Sequence, residues 1–208
     1  MTAHAERRAA TLSLPKPVTG DSSSFEAILR DRRSVRELEA SPLPLASVGQ
    51  LLWAAQGVTS STGERTAPSA GALYPLEILL AAGAVDGLAA GVYRYSPQHH
   101  ALRPHLADDR RRALAAAALE QSALNDASAV LVIAAVYART ARKYGARAER
   151  YVQIEVGHAA QNVYLQAQAL GLGTVIIGAF DDDAVGRVLE LDPAEAPVAL
   201  MPVGMPSA

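Results

Sequence analysis

The chain has 208 residues and a formal net charge of -2, which fits one domain and leaves no charge excess to draw nucleic acid or an anionic membrane. Half of the residues are hydrophobic and 19% are charged, a balance that excludes a disordered chain. Cysteine is absent, which removes disulfides, thiolate catalysis and zinc sites built on Cys pairs, and fits an intracellular, cytoplasmic protein. No apolar run approaches the roughly 18 residues that a membrane-spanning helix needs, and the five His show no metal-ligand spacing, so no metal is expected.

Residues 1–21, rich in Pro and Ser toward their end, read as an arm that is flexible or drapes over the domain, and 22–208 as the domain itself. Phe25, Ile28 and Leu29 at i, i+3, i+4 predict a short helix over about 23–31, with three Ser available as caps. A second helix follows Pro44 with Leu45, Val48, Leu51, Leu52 and Ala55 on one face, and Gly57 is its stop. A turn-rich stretch runs from Thr59 to Pro75. Leu76–Ala82 reads as a buried strand, and Val92–Tyr95 with Ala101–Arg103 as a hairpin. Residues 107–120 are helical by propensity, Ala129–Val136 is a fully buried strand, and 148–170 carries the longest helical pattern. Thr174–Ile177 and Val198–Val203 complete the strands, on either side of a short helix opened by Asp181-Asp182-Asp183. The hairpin requires antiparallel pairing, so an α+β layered domain is expected rather than a doubly wound parallel sheet.

No G-x-G-x-x-G, Walker A, H-E-x-x-H or G-x-S-x-G motif is present. Five segments remain as carriers of chemistry, each with two readings. Arg32, Arg33, Ser34 and Arg36 surround a helix end: they clasp a phosphate through guanidinium forks and a hydroxyl, or simply answer the helix dipole. The loop from Arg65 to Pro75, with small residues and Pro corners, either lets backbone approach a flat ligand or only connects helix to strand. Tyr151, Glu155, His158, Asn162 and Gln166 form a polar stripe on the long helix, either its wet face or a buried network. Lys143 beside Tyr144 is an acid–base pair or a surface pair. Gly171 to Phe180 combines a helix stop, a buried strand and a glycine exit that can lie along a planar ring or be an ordinary core strand.

Taken in order, these segments resemble the nitroreductase superfamily of FMN-dependent oxidoreductases, in its SagB/ThcOx-type branch. The likeness rests on Leu14-Pro15-Lys16-Pro17, Arg32 to Arg36, Gln50 to Gly57, Pro68 to Glu77, Gly91 to Tyr95, Lys143-Tyr144-Gly145, Glu155 to Asn162 and Gly171 to Phe180, and so spans nearly the whole chain. The resemblance implies a nitroreductase-like α+β fold, with a central mostly antiparallel or mixed sheet flanked by helices. It also implies a homodimer with FMN at the interface. Carried over by position, Arg32, Ser34 and Arg36, with Arg33 alongside, hold the phosphate and ribityl end. Pro68, Ser69 and Ala70 come from the partner subunit to pack at the isoalloxazine, and Ile177, Gly178 and Ala179 run along the flavin edge. Gln121 is placed to read the pyrimidine edge. The last residues, Met205 to Ala208, lack the basic groups with which many nitroreductases help grip the phosphate.

The activity so implied is ping-pong transfer of hydride or electrons between a reductant, NADH or NADPH, and a small organic acceptor. Lys143 and Tyr144 match the Lys-Tyr pair that the branch ties to azoline oxidation, where a base removes a proton from carbon. An azoline-type dehydrogenase in a peptide-modifying complex, and a flavin-holding accessory protein without turnover, are the two alternative expectations.

Overall fold

The structure, a computed structural model, describes residues 11–17, 24–39 and 41–207. Among them one eight-stranded sheet is formed by β1 (Leu12–Ser13), β2 (Leu38–Glu39), β3 (Leu76–Ala82), β4 (Gly91–Ser96), β5 (Ala101–Leu106), β6 (Ala129–Ala135), β7 (Gly173–Thr174) and β8 (Ala196–Pro206). The order is β1-β5-β4-β3-β6-β8-β2, with β7 also on β8, and every ladder is antiparallel. The fold is thus α+β and mostly antiparallel, as the sequence predicts.

The strands at the centre, β3, β6 and β8, are buried on both faces, which explains their unbroken apolar runs. Successive side chains alternate between two cores. Leu76, Ile78, Leu80, Leu131, Ile133 and Met201 pack under α2 (Leu45–Gln56) and α6 (Ala148–Ala169), against Leu51, Leu52, Val156 and Val163. Leu79, Val130, Val132 and Leu200 face the other way. There α3 (Arg111–Ala117), α4 (Ser122–Asp126) and α7 (Asp182–Leu189) cover them with Leu114, Leu124, Val185 and Leu189. None of the helices in the described residues is long and apolar enough to cross a membrane.

Local signals account for most element ends. Ser24 caps α1 (Phe25–Asp31), its hydroxyl accepting from the Ala27 N–H at 3.2 Å, and Asp181 caps α7 by accepting from the Ala184 N–H at 2.8 Å. The expected start of α1 at Ser23 lies outside the described residues. Part of the expected arm is also outside them, but Leu12–Ser13 pairs with β5, and Leu14 donates to the His100 carbonyl while His100 Nε2 meets that of Pro15.

Several elements differ from expectation, and three of the differences bear on the site or its surroundings. The helix expected over 107–120 is only α3, because Leu119 and Glu120 adopt left-handed backbone (φ 57 and 55) and turn the chain into α4. Propensity there yields to the buried Ala118 and Leu124. A helix α5 (Tyr137–Tyr144), absent from the sequence expectation, carries Lys143 and Tyr144. The strand expected over 174–177 ends at Thr174, with a single further bridge from Ile177 to Leu200. In that register Val175 stands opposite Pro202, which has no N–H to complete the ladder.

Leu131, on β6, is 1% exposed in the midst of the first core. Leu131→Ala is expected to lower unfolding free energy by about 2–5 kcal/mol, whereas Phe25→Ala, at a 57% exposed position, should leave the urea midpoint of the isolated chain within about 0.5 kcal/mol.

Candidate functional site

The first half of the site is the outer edge of the strand that leads from β7 to Gly178. Alternate residues of this strand turn their backbone groups toward β8 or away from it. Ile177 faces β8, and both its N–H and its carbonyl are paired with Leu200, at 2.8 and 2.9 Å. The outward groups meet the arginine segment instead. The Thr174 carbonyl accepts from the Val35 N–H at 2.9 Å, and the Ile176 N–H donates to Tyr164 Oη at 2.8 Å. Since Tyr164 Oη accepts there, its own proton is free for Ser34 Oγ at 3.0 Å. Arg32 lies over the Tyr164 ring, 5.0 Å from its centroid. Arg33 donates to the carbonyls of Arg30 and Arg32, capping α1, while Arg36 is exposed and makes no hydrogen bond or ion pair to any described residue.

The next outward group, the Gly178 N–H, has no partner among the described residues, and neither has that of Ala179. A Cβ placed on Gly178 would meet nothing within 4 Å. Gln121 Nε2 donates to the Ala179 carbonyl at 3.2 Å, which places Gln121 at this strand exit. Gly178 opens on a cavity of about 820 Å³ whose walls include Tyr137, Glu149, Gln153 and Phe180.

The second half is the loop 65–75. Gly71, Ala72 and Tyr74 all have positive φ (64, 54 and 45), a run that persists only where surroundings over-determine it. Here they do. Ser69 Oγ accepts from the Tyr74 N–H at 2.9 Å, the Ala72 N–H donates to the Ser69 carbonyl, and the Arg65 N–H reaches Tyr74 Oη. Arg139 of α5 donates to the Tyr74 carbonyl at 3.0 Å and pairs with Glu77. Lys143 and Tyr144 converge on the same turn, since a Cβ on Gly71 would lie 3.0 Å from Lys143 Nζ and 2.9 Å from Tyr144 Oη. The structure therefore brings Pro68, Ser69 and Ala70 together with Lys143 and Tyr144, and links Arg32 and Ser34 through Tyr164 to the strand at 174–179, with Arg36 exposed beside Val35 in the chain.

Helix α6 holds both halves. Its polar stripe bonds to neighbouring elements: Asn162 Nδ2 donates to the carbonyls of Ala54 and Thr66, Gln50 donates to Gln166, and the exposed His158 has Nδ1 3.4 Å from the Pro68 carbonyl. Glu155 is 2% exposed, beside Ser69, Arg65 and Gln56. Burial pushes its carboxyl up to about 7, against the opposing pull of those three neighbours, and its Oε1 has no partner among the described residues. Sequence reasoning missed Tyr164 and Arg139 as site-builders. Tyr164 looks like core on an apolar helix face, and Arg139 belongs to no motif, whereas Arg65 opens the loop the sequence singles out.

Comparison with known proteins gives the family and the fold. The nitroreductase family profile matches residues 29–205. Over 180 residues the chain is 50% identical to the nitroreductase-family protein MJ1384 of Methanocaldococcus jannaschii, covering 86% of this chain and 90% of that one. It is 30% identical to the microcin B17-processing protein McbC of Escherichia coli over 135 residues, 62% of this chain and 49% of McbC, so it spans about half of that relative. A nitroreductase-family crystal structure from Ralstonia eutropha superposes with a TM-score of 0.83 at 28% identity, covering 99% of this chain and 93% of the other. The chain belongs to the nitroreductase family.

The raised carboxyl of Glu155 has a defined consequence for stability. Between pH 4.5, its ordinary value, and about 7, the unfolded chain has released this proton and the folded one still holds it, so stability falls as pH rises through this window. Glu155→Gln removes that slope. Urea unfolding at pH 5 and pH 8 should show the variant gaining on the parent at pH 8 by up to about 3 kcal/mol.

Proposed function

We propose that the chain is an FMN-dependent oxidoreductase that passes hydride or electrons by ping-pong turns from NADH or NADPH to a small organic acceptor. The observation that carries this reading is the pair of backbone N–H groups at Gly178 and Ala179 that have no partner among the described residues, at the end of a strand edge where the Thr174 carbonyl and the Ile176 N–H are engaged. Two donors beside open space fit the polar rim of an isoalloxazine, and Arg36, near the engaged Ser34 in sequence, is a cation without a partner among the described residues. Bound there, FMN supplies a reversible two-electron centre.

The residues divide the work. Arg32, Ser34 and Arg36 grip the phosphate and ribityl chain, with Arg33 fixing the end of α1 beneath them. Tyr164 holds Ser34 and Ile176 in one register, so the phosphate anchor and the N–H donors keep a constant spacing. Gly178 and Ala179 donate to the ring edge, Gln121 reads the pyrimidine side, and Ile177 anchors this edge to β8. Pro68, Ser69 and Ala70 form a stiff wall that excludes water from a ring face.

The geometry of α6 favours a homodimer. Glu155, facing the loop, and Tyr164, facing the strand edge, are nine residues apart on α6. This is roughly 900° of rotation, so the two halves stand on opposite sides of a helix about 10 Å thick. A second copy supplying Pro68–Ala70 lets one ring meet both halves.

A second reading, an azoline-type dehydrogenase in a peptide-modifying complex, draws on the placement of Lys143 Nζ and Tyr144 Oη at the Gly71 turn and on the likeness to a microcin-processing protein. Lys143 would take the proton from substrate carbon, and Tyr144 would hold or return it.

Absorbance of the purified protein, followed anaerobically on adding NADPH or NADH, tests the proposal: a yellow protein that bleaches is expected, and a colourless one that FMN does not reconstitute refutes it. Arg36→Ala should lower flavin content after gel filtration about tenfold or more with the circular dichroism spectrum unchanged. Lys143→Ala should retain flavin while losing at least about a hundredfold in turnover if this amine moves the proton.

A further inference from the structure

A cavity of about 310 Å³ lies where β3 starts and β4 ends, between α5 and the loop 65–75. Four guanidiniums line it, those of Arg65, Arg94, Arg103 and Arg139, against a single lining carboxylate, Glu77. Two of the four are neutralised. Arg94 forms a bidentate pair with Glu195, at 2.7 and 2.8 Å, and Arg139 pairs with Glu77. The other two contact no carboxylate among the described residues. Arg103 is exposed and meets only Ser96 Oγ, at 3.4 Å. Arg65 donates to Gln56 Oε1 at 2.9 Å and stacks on Tyr74 at 4.4 Å, while its Nε is buried with no partner. The carboxyl behind it, Glu155, is itself held partly protonated near neutral pH.

A guanidinium withdrawn from water with neutral partners only is costly, and its planar fork is matched by a phosphate or carboxylate, which takes two charge-assisted bonds at once. The chain as a whole is slightly acidic, so the local surplus is a property of this cavity. Its volume is at the small end of ligand cavities, enough for one oxyanion with a short body. We propose that this cavity binds an oxyanion, a phosphate or carboxylate group, held by Arg65 and Arg103. Arg139 lies one turn before Lys143 on the same side of α5. The anion therefore sits beside the Lys143–Tyr144 turn and grips the loop through Arg65 at its first residue. The site is separate from the Arg32–Arg36 segment and does not depend on what that segment binds.

The test is the thermal unfolding midpoint of the purified protein in chloride at constant ionic strength, titrated with inorganic phosphate or with ribose 5-phosphate. A saturable upward shift is expected. Arg103→Gln, at an exposed position where folding is not at risk, should weaken the apparent affinity about tenfold, and Arg36→Ala should leave it unchanged. Tighter binding of ribose 5-phosphate than of phosphate identifies the natural anion as part of a larger ligand, whereas equal or weaker binding identifies a free ion, and both support the site. A shift no larger than that given by chloride overturns the proposal. So does a shift that survives both Arg103→Gln and Arg65→Gln, or one that only Arg36→Ala abolishes.

Discussion

A polar group taken out of water has to be paired, and in this protein that constraint falls most heavily on α6. The helix packs one face into the core, where it carries Glu155 and Tyr164, and sets the half-buried Asn162 and Gln166 beside them. Asn162 joins α2 to the loop at Thr66, Gln166 ties the helix to Gln50, and Tyr164 joins Ser34 to Ile176. Were α6 apolar throughout, the same core would form, but nothing would set the height of the loop or of the arginine segment against the sheet. Glu155 is the member least well satisfied, and its elevated carboxyl records the strain of that position.

The strand edge at Thr174–Gly178 has two different sides. Pro202 opposite Val175 interrupts the pairing with β8, while the outward edge faces Val35 and Tyr164. Alternation does the rest, because Val35 and Tyr164 take successive outward groups and leave that of Gly178 unclaimed. Oxidoreductase chemistry on a planar cofactor needs such pre-set donors, since groups fixed before reaction need no reorganisation during it. The loop 65–75 has the same character. Its positive-φ residues are strained one by one and held collectively by Ser69, Arg65 and Arg139.

Much of this was legible in the residues. The buried runs of β3 and β6 and the Ser24 and Asp181 caps all carry local signals whose physics acts within a few residues. The site segments were legible as a colinear set, though no single one was decisive. The failures have a common cause. Helix α5 is short and highly charged at its end, so it lacks an apolar period. The polar stripe on α6 stayed open between a wet face and a buried network, because composition alone does not say which neighbour covers a face. The strand after Thr174 has strand residues, but its ladder depends on a proline more than two dozen positions away.

The sequence by itself determined the alternation of helices and strands, the double-sided burial of the sheet and the residue types of the family's site, because these follow from periodicity and local chemistry. Only the tertiary structure decided which N–H groups remain free at Gly178 and Ala179, that Lys143 and Tyr144 meet the Gly71 turn, and that Arg65 and Arg103 line one cavity. Those are relations between segments far apart in the chain, settled by packing and by the pairing of buried polar groups, and no local pattern encodes them.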